Sequence, residues 1–180
     1  LKVAAEAGKH ITLEGQERDV TTAGLARMNM ILHDCPTADI WQDNTLSSPH
    51  FKQPDGRLKA FDFVVANPPF STKAWSNGFN PYEDEFKRFE FGVPPKKNGD
   101  YAFMLHILAS MKSTGKGAVI LPHGVLFRGN AEATIRKNLA ERLPNMPKID
   151  EVSKTPMNGL YEVRMGSDIM YSDAEGNFLI

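Results

Sequence analysis

The chain reads as an α/β domain with a mostly parallel sheet, and three observations predict it. Strand-like and helix-like segments alternate from residue 10 to residue 143. The run Phe61-Asp62-Phe63-Val64-Val65-Ala66 is nearly continuously apolar, as suits a strand covered on both faces. A second apolar run, Ala118-Val119-Ile120-Leu121, follows a helix of ordinary length. With 180 residues the chain can bury a single core, and its 41% hydrophobic and 24% charged residues are ordinary for a globular domain.

Taken in order, residues 1–10 read as a helix fragment without a secretory core. Residues 10–13 are a short β-type run ending in the polar Gly15-Gln16-Glu17. Thr21 and Thr22 are candidate caps for a helix whose apolar positions Ala23, Leu25, Ala26, Met28, Met30, Ile31 and Leu32 cover a face. Residues 38–41 form a short strand, closed by the polar turn Gln42-Asp43-Asn44-Thr45. Pro49, Pro54 and Asp55-Gly56 mark residues 47–57 as loop. After the strand at 61–66, residues 71–98 are rich in Gly, Pro, aromatics and charge but lack a period, which predicts a functional or mobile loop. Residues 99–111 are a helix stopped by Gly115-Lys116-Gly117, and residues 131–143 are an amphipathic helix. From Pro144 a proline-punctuated connector leads to strand-like runs at 160–165, 168–171 and 178–180, with residues 173–177 as a hairpin turn. The expected division is therefore residues 1–143 and residues 144–180.

Composition excludes several functions. No apolar run nears the ~20 residues that span a bilayer. The single cysteine, Cys35, rules out an internal disulfide and Cys-x-x-Cys redox chemistry, and favours a reducing compartment. His106 and His123 have no metal-ligand spacing and read as structural. A net charge of −1 carries no broad basic footprint, so any nucleic-acid binding must rest on local patches such as Lys73, Arg88, Lys96 and Lys97, or on a partner.

The most informative residues are Asn67, Pro68, Pro69 and Phe70, directly after the strand ending at Ala66. In open α/β sheets ligands bind outside the carboxyl ends of the strands. Two prolines stiffen the turn and remove two N–H donors, leaving carbonyls outward. The Asn67 side-chain oxygen and the Pro68 carbonyl are a pair of acceptors for both hydrogens of an exocyclic amine. Phe70 offers a flat face on which an extruded base can stack, worth ~1–3 kcal/mol. Such a site suits in-line transfer of a methyl group to a neutral amine, which needs neither a metal nor a covalent intermediate. Asp100 reads as a helix N-terminal cap.

Taken together, Gly15-Gln16-Glu17, residues 26–30, residues 61–70, Gly99-Asp100-Tyr101-Ala102-Phe103 and residues 121–129 resemble the modification subunit of type I restriction-modification systems, over residues 11 to about 140. That resemblance implies a Rossmann-like methyltransferase fold, S-adenosylmethionine as methyl donor and adenine N6 in DNA as acceptor. It also implies partnership with a specificity subunit and a restriction subunit, and a cytoplasmic location. Asn67, Pro68, Pro69 and Phe70 would hold the target base, Glu17 the ribose hydroxyls of the cofactor, and Asp43 would lie near its adenine amine. The Gly-rich loop of that family is expected upstream of Leu1, so weak or no cofactor binding is expected of these residues alone. Alternative readings are an amino-methyltransferase acting on RNA or protein glutamine, and a non-catalytic assembly or dimerisation fragment.

The tail departs from this pattern. Residues 148–156, 159–164 and 173–180 resemble the N-terminal dimerisation domain of periplasmic disulfide isomerases, a likeness that can begin as early as Ala133. A chimeric junction near residues 128–145 is the expectation, against the alternative of a divergent terminal hairpin of the same sheet.

Overall fold

Parallel strand pairs with short connecting helices are what the computed structural model shows; it describes residues 11–142, 151–154, 160–165 and 168–173. The chain divides into two units, Leu1–Lys59 and Ala60–Ile180.

In the first unit, β1 (Glu14–Glu17), α1 (Val20–Leu32) and β2 (Asp39–Gln42) follow one another, and β1 pairs in parallel with β2 from Glu14↔Asp39 to Glu17↔Gln42. The strand therefore takes in Gly15-Gln16-Glu17 rather than ending before it. Gly15 suits this place because a Cβ there would lie only 3.0 Å from Ile40 Cδ1. The cap of α1 is Asp19, ahead of the threonine pair: its Oδ1 accepts the Thr22 N–H at 2.7 Å and the Thr22 hydroxyl at 2.9 Å. Those bonds hold its carboxyl below the usual range. Arg27 ties the helix to the sheet by donating from Nε and Nη2 to the Ile40 carbonyl at 2.9 and 2.6 Å.

The apolar face expected to be buried on α1 is not. Ala23 is buried, while Leu25, Met28, Ile31 and Leu32 are 59–78% exposed. Among the described residues of this unit, two strands of four residues offer too little surface to cover a helix of 13 residues. Leu46 and Leu58 complete the small core of this unit.

The second unit contains β3 (Phe61–Ala66), α2 (Asp100–Ala109), β4 (Met111–Val119) and α3 (Ala131–Arg142), with 3-10 turns at Pro81–Glu83 and His123–Leu126. β3 and β4 are parallel from Phe63↔Lys116 to Ala66↔Val119, with an irregularity between Phe61 and Phe63. Gly115-Lys116-Gly117, expected as a helix stop, lies inside β4. At Gly115 the backbones approach so closely that a Cβ would meet the Phe61 carbonyl at 2.8 Å, which explains a glycine in a strand. The two-sided burial expected for β3 is absent. Val64 and Ala66 are half-buried on one face, whereas Phe63 and Val65 on the other are 73% and 78% exposed.

Residues 71–98 are irregular, yet they carry their own core. Trp75 and Phe89 are buried with ring centroids 5.4 Å apart, and Phe79 packs against both. Trp75 Nε1 donates to the Pro95 carbonyl at 2.9 Å. The Trp75 side chain fills the space a Cβ on Gly99 would need, approaching it to 2.6 Å, so the glycine permits the ring to seat. α3 packs on this unit through Ile135 and Leu139, and Asn138 Nδ2 donates to the Phe91 carbonyl at 2.7 Å.

β5 (Glu151–Lys154), β6 (Leu160–Met165) and β7 (Asp168–Asp173) form an antiparallel sheet in that order. β5 falls in the stretch expected to be connector, and β7 runs to Asp173. The expected turn residues 174–177 and strand 178–180 lie outside the described residues, as do residues 143–150, where the division was expected.

Candidate functional site

β3 delivers the turn Asn67-Pro68-Pro69-Phe70 at its carboxyl end, and the last pairing of the strand is the Ile120 N–H donating to the Ala66 carbonyl at 3.1 Å. There an open depression of about 420 Å³ is lined by Val65, Ala66, Asn67, Ala118, Val119 and Ile120. Asn67 is exposed, Pro68 is buried, and Phe70 leaves 52% of its surface open. The Pro69 carbonyl accepts the Thr72 hydroxyl at 3.0 Å. Among the described residues nothing hydrogen-bonds to the Asn67 side chain or the Pro68 carbonyl, so two acceptors and one aromatic face stand unengaged on one turn.

The turn is fixed from behind by residues the sequence did not mark for that role. Ser71 and Ala74 have φ of +49° and +53°, a left-handed conformation that costs a non-glycine residue ~1–2 kcal/mol. Ser71 is held there by donating its N–H to Asp100 Oδ1 at 2.7 Å. Asp100 Oδ2 in turn accepts from Arg128 Nη1 at 2.8 Å, and Arg128 also reaches Glu132 Oε1 at 3.3 Å. The Asp100 side chain is fully buried. Thus Asp100 is not the helix cap, which is Gly99 without a side-chain bond; it occupies the first turn of α2 and reaches back to the acceptor turn. The hydrogen bond to Asp100 raises the Arg128 guanidinium pKa. Burial raises the Glu132 carboxyl, whose Oε2 has no partner among the described residues. Arg136 completes the frame, donating to the Val125 and Arg128 carbonyls at 2.7 Å each, and Tyr101 donates its hydroxyl to Val125 at 2.7 Å.

Arg88, expected to be available to phosphate, is not. It is 3% exposed, bonded through Nε to both Asp84 oxygens at 3.0–3.1 Å, and caged by the rings of Phe79, Phe86 and Phe89. Arg88 Nη1 also lies 3.2 Å from His106 Nδ1. Burial first, and the Arg88 charge second, push the His106 pKa down to about 3, so the ring is neutral and accepts. His106 belongs to this packing. His123 stands beside Phe127 with ring centroids 5.4 Å apart.

The other predicted residues lie in the first unit. Glu17 ends β1 and Asp43 follows β2; the Asp43 N–H donates to the Glu17 carbonyl at 3.0 Å, which sets the two side by side at adjacent strand ends. Glu17 Oε1 accepts the Asp19 N–H at 2.8 Å, and Oε2 is open among the described residues. Asp43 is committed to its turn, Oδ1 accepting the Asn44 N–H at 2.7 Å and Oδ2 the Ser48 hydroxyl at 2.9 Å. Among the described residues no group of three His, Cys, Asp or Glu side chains can hold a metal ion, and no helix is long and apolar enough to cross a membrane.

The chain is similar to known proteins. The family described as N-6 DNA methylase matches residues 1–147, and the N-terminal domain of disulfide bond isomerase proteins matches residues 127–180. The type I restriction enzyme MjaVIII methylase subunit of Methanocaldococcus jannaschii is 33% identical over 144 residues, covering 76% of this chain and 24% of that protein. The HindI methylase subunit of Haemophilus influenzae is 32% identical, covering 71% of this chain and 28% of that protein. The crystal structure of a type I restriction-modification methyltransferase subunit from Streptococcus thermophilus superposes with a TM-score of 0.68 at 38% identity, covering 78% of this chain and 30% of that one. The chain thus spans about a quarter of the length of the curated relatives it matches. With the matched segment taking in both strand pairs and the acceptor turn, the chain belongs to the N-6 DNA methylase family.

Proposed function

We propose that the chain is the catalytic segment of an S-adenosylmethionine-dependent methyltransferase of Rossmann-like fold that modifies adenine N6 in DNA. It would act in the cytoplasm within a type I restriction-modification assembly, beside specificity and restriction subunits. The observation that carries this reading is the pair of unengaged acceptors, the Asn67 side-chain oxygen and the Pro68 carbonyl, next to the open ring of Phe70.

Asn67 and Pro68 accept the two amine hydrogens of an extruded adenine and turn its nitrogen lone pair outward. Phe70 stacks on the base, and Pro69 keeps the turn from relaxing. As the nitrogen attacks it gains positive charge, which the two acceptors stabilise; removing one preorganised partner at such a centre costs ~10²–10³ in rate. When bound, the cofactor supplies an electrophilic methyl group on a sulfonium. The residues present fit it in part: Glu17 Oε2 is open and suited to a ribose diol, while Asp43 offers charge and the lone pairs its turn leaves over.

α3 serves this site. Glu132, Arg136 and Asn138 bond to Arg128, to the Val125 and Arg128 carbonyls, and to Phe91. These bonds support a junction with any foreign segment toward the later end of residues 128–145.

The test is methyl incorporation by the assembled enzyme into DNA, RNA and protein acceptors, with the product identified by mass spectrometry. N6-methyladenine in DNA is expected. Label found in RNA or in protein glutamine, with none in DNA, would replace this reading by the corresponding alternative.

A further inference from the structure

Resting on the DNA reading above, we propose that Lys73, Lys96 and Lys97 form a phosphate-binding subsite. It would grip the DNA backbone beside the nucleotide drawn into the acceptor turn. An open pocket of about 470 Å³ is lined by Lys73, Ala74, Ser76, Asn77, Lys96 and Lys97, with no carboxylate in its wall. All three lysines are exposed, and no side-chain ammonium of the three bonds or pairs with a described residue. Among the other described lysines, Lys59 pairs with Glu14, Lys112 with Asp62 and Lys137 with Glu141, while Lys87 and Lys116 stand singly without an ion pair. In a protein of net charge −1, three unpaired cations around one acid-free cavity are a local exception to the balance.

The cluster is built rather than incidental. Lys73 and the Lys96-Lys97 pair are more than 20 residues apart, and the backbone brings them together. The Ala74 N–H donates to the Lys96 carbonyl at 3.2 Å, and the Gly99 N–H donates to the Thr72 carbonyl at 3.0 Å. Trp75 anchors the same junction through Pro95. Ala74, in the pocket wall, holds a left-handed φ of +53° that this bracing maintains.

Its position suits a flanking phosphate. Lys73 is three residues beyond Phe70, so their Cα atoms lie within about 11 Å even if the chain between them were fully extended. Successive phosphates on one strand advance ~3.4 Å along the duplex axis, so those adjoining an extruded nucleotide fall within reach of the lysine side chains. Lysine provides a flexible point charge without base readout, as suits a contact that positions the strand and leaves sequence choice elsewhere.

The test is anisotropy of a labelled short DNA duplex titrated with the full 180-residue chain at several salt concentrations. It compares wild type, the triple variant Lys73→Gln, Lys96→Gln, Lys97→Gln, and the triple arginine variant. The glutamine triple should lower the slope of log affinity against log salt by about 2.7, about 0.9 per lysine. Raising salt from about 50 to 200 mM would then weaken wild type roughly 40-fold more than that variant. The arginine triple should keep the wild-type slope, which excludes misfolding as the cause. Equal slopes for wild type and the glutamine triple, or no DNA binding by wild type, would overturn the subsite. Lysine-dependent binding of RNA without binding of DNA would overturn its assignment. Because this readout is affinity, a failure here is distinct from a failure of methyl transfer.

Discussion

The strand pair β3–β4 and the irregular segment 71–98 exchange the roles their sequences suggest. The strand is the most legible element of the chain, yet Phe63 and Val65 on it are 73% and 78% exposed. The segment without a period buries Trp75, Arg88 and Phe89 to within 7% exposure and braces the candidate acceptor turn. The strand sets where the acceptor turn begins, and the loop and α2 set its conformation. In such a site, accuracy comes from the irregular part.

That contrast can be broken first at Trp75. Trp75→Ala should cost the second unit ~3–5 kcal/mol, as for other buried large-to-small changes, measured by denaturant unfolding. A cost below about 1 kcal/mol would mean the loop core is not a core.

Asp100 separates bracing from stability. Asp100→Ala removes the acceptor of the Ser71 N–H and the shorter ion pair of the partly exposed Arg128, which keeps Glu132, and should lose ~1–3 kcal/mol along with methyl transfer. Asp100→Asn keeps an acceptor for the Ser71 N–H, so it should recover much of the transfer rate while staying less stable than wild type. Equal transfer rates for the two variants would separate Asp100 from the acceptor turn.

The smallest effect belongs to the strand. Phe63→Ser and Val65→Ser should each shift the unfolding free energy of the chain by no more than ~0.5 kcal/mol, the usual range for exposed positions. A larger loss would show that this face is covered after all.

The placement of the candidate site residues was legible because local chemistry wrote it. Asn67, Pro68 and Phe70 stand where a strand-terminating turn puts them, and Glu17 and Asp43 come to adjacent strand ends because β1 and β2 are parallel. The parallel pairing of both strand sets followed from alternation alone. What was not legible depended on tertiary partners. Asp100 sits before a helix and resembles a cap, and only the approach of Ser71, 29 residues earlier, reveals its task. Arg88 looks like a free cation until Asp84 and three aromatic rings enclose it. Gly115 of β4 mimics a helix stop because a close backbone contact and a chain break use the same residue. Apolar period showed where α1 would form but not whether anything in its unit was large enough to cover it.

The central claim is that Asn67 holds the amine that receives the methyl group. Its most direct test is the single-turnover rate of methyl transfer to DNA by the assembled enzyme carrying Asn67→Ala, with DNA affinity measured alongside. A rate lowered ~10²–10³-fold at nearly unchanged affinity is the expected result. A wild-type rate in that variant would contradict the account and leave the turn a structural feature of the strand end.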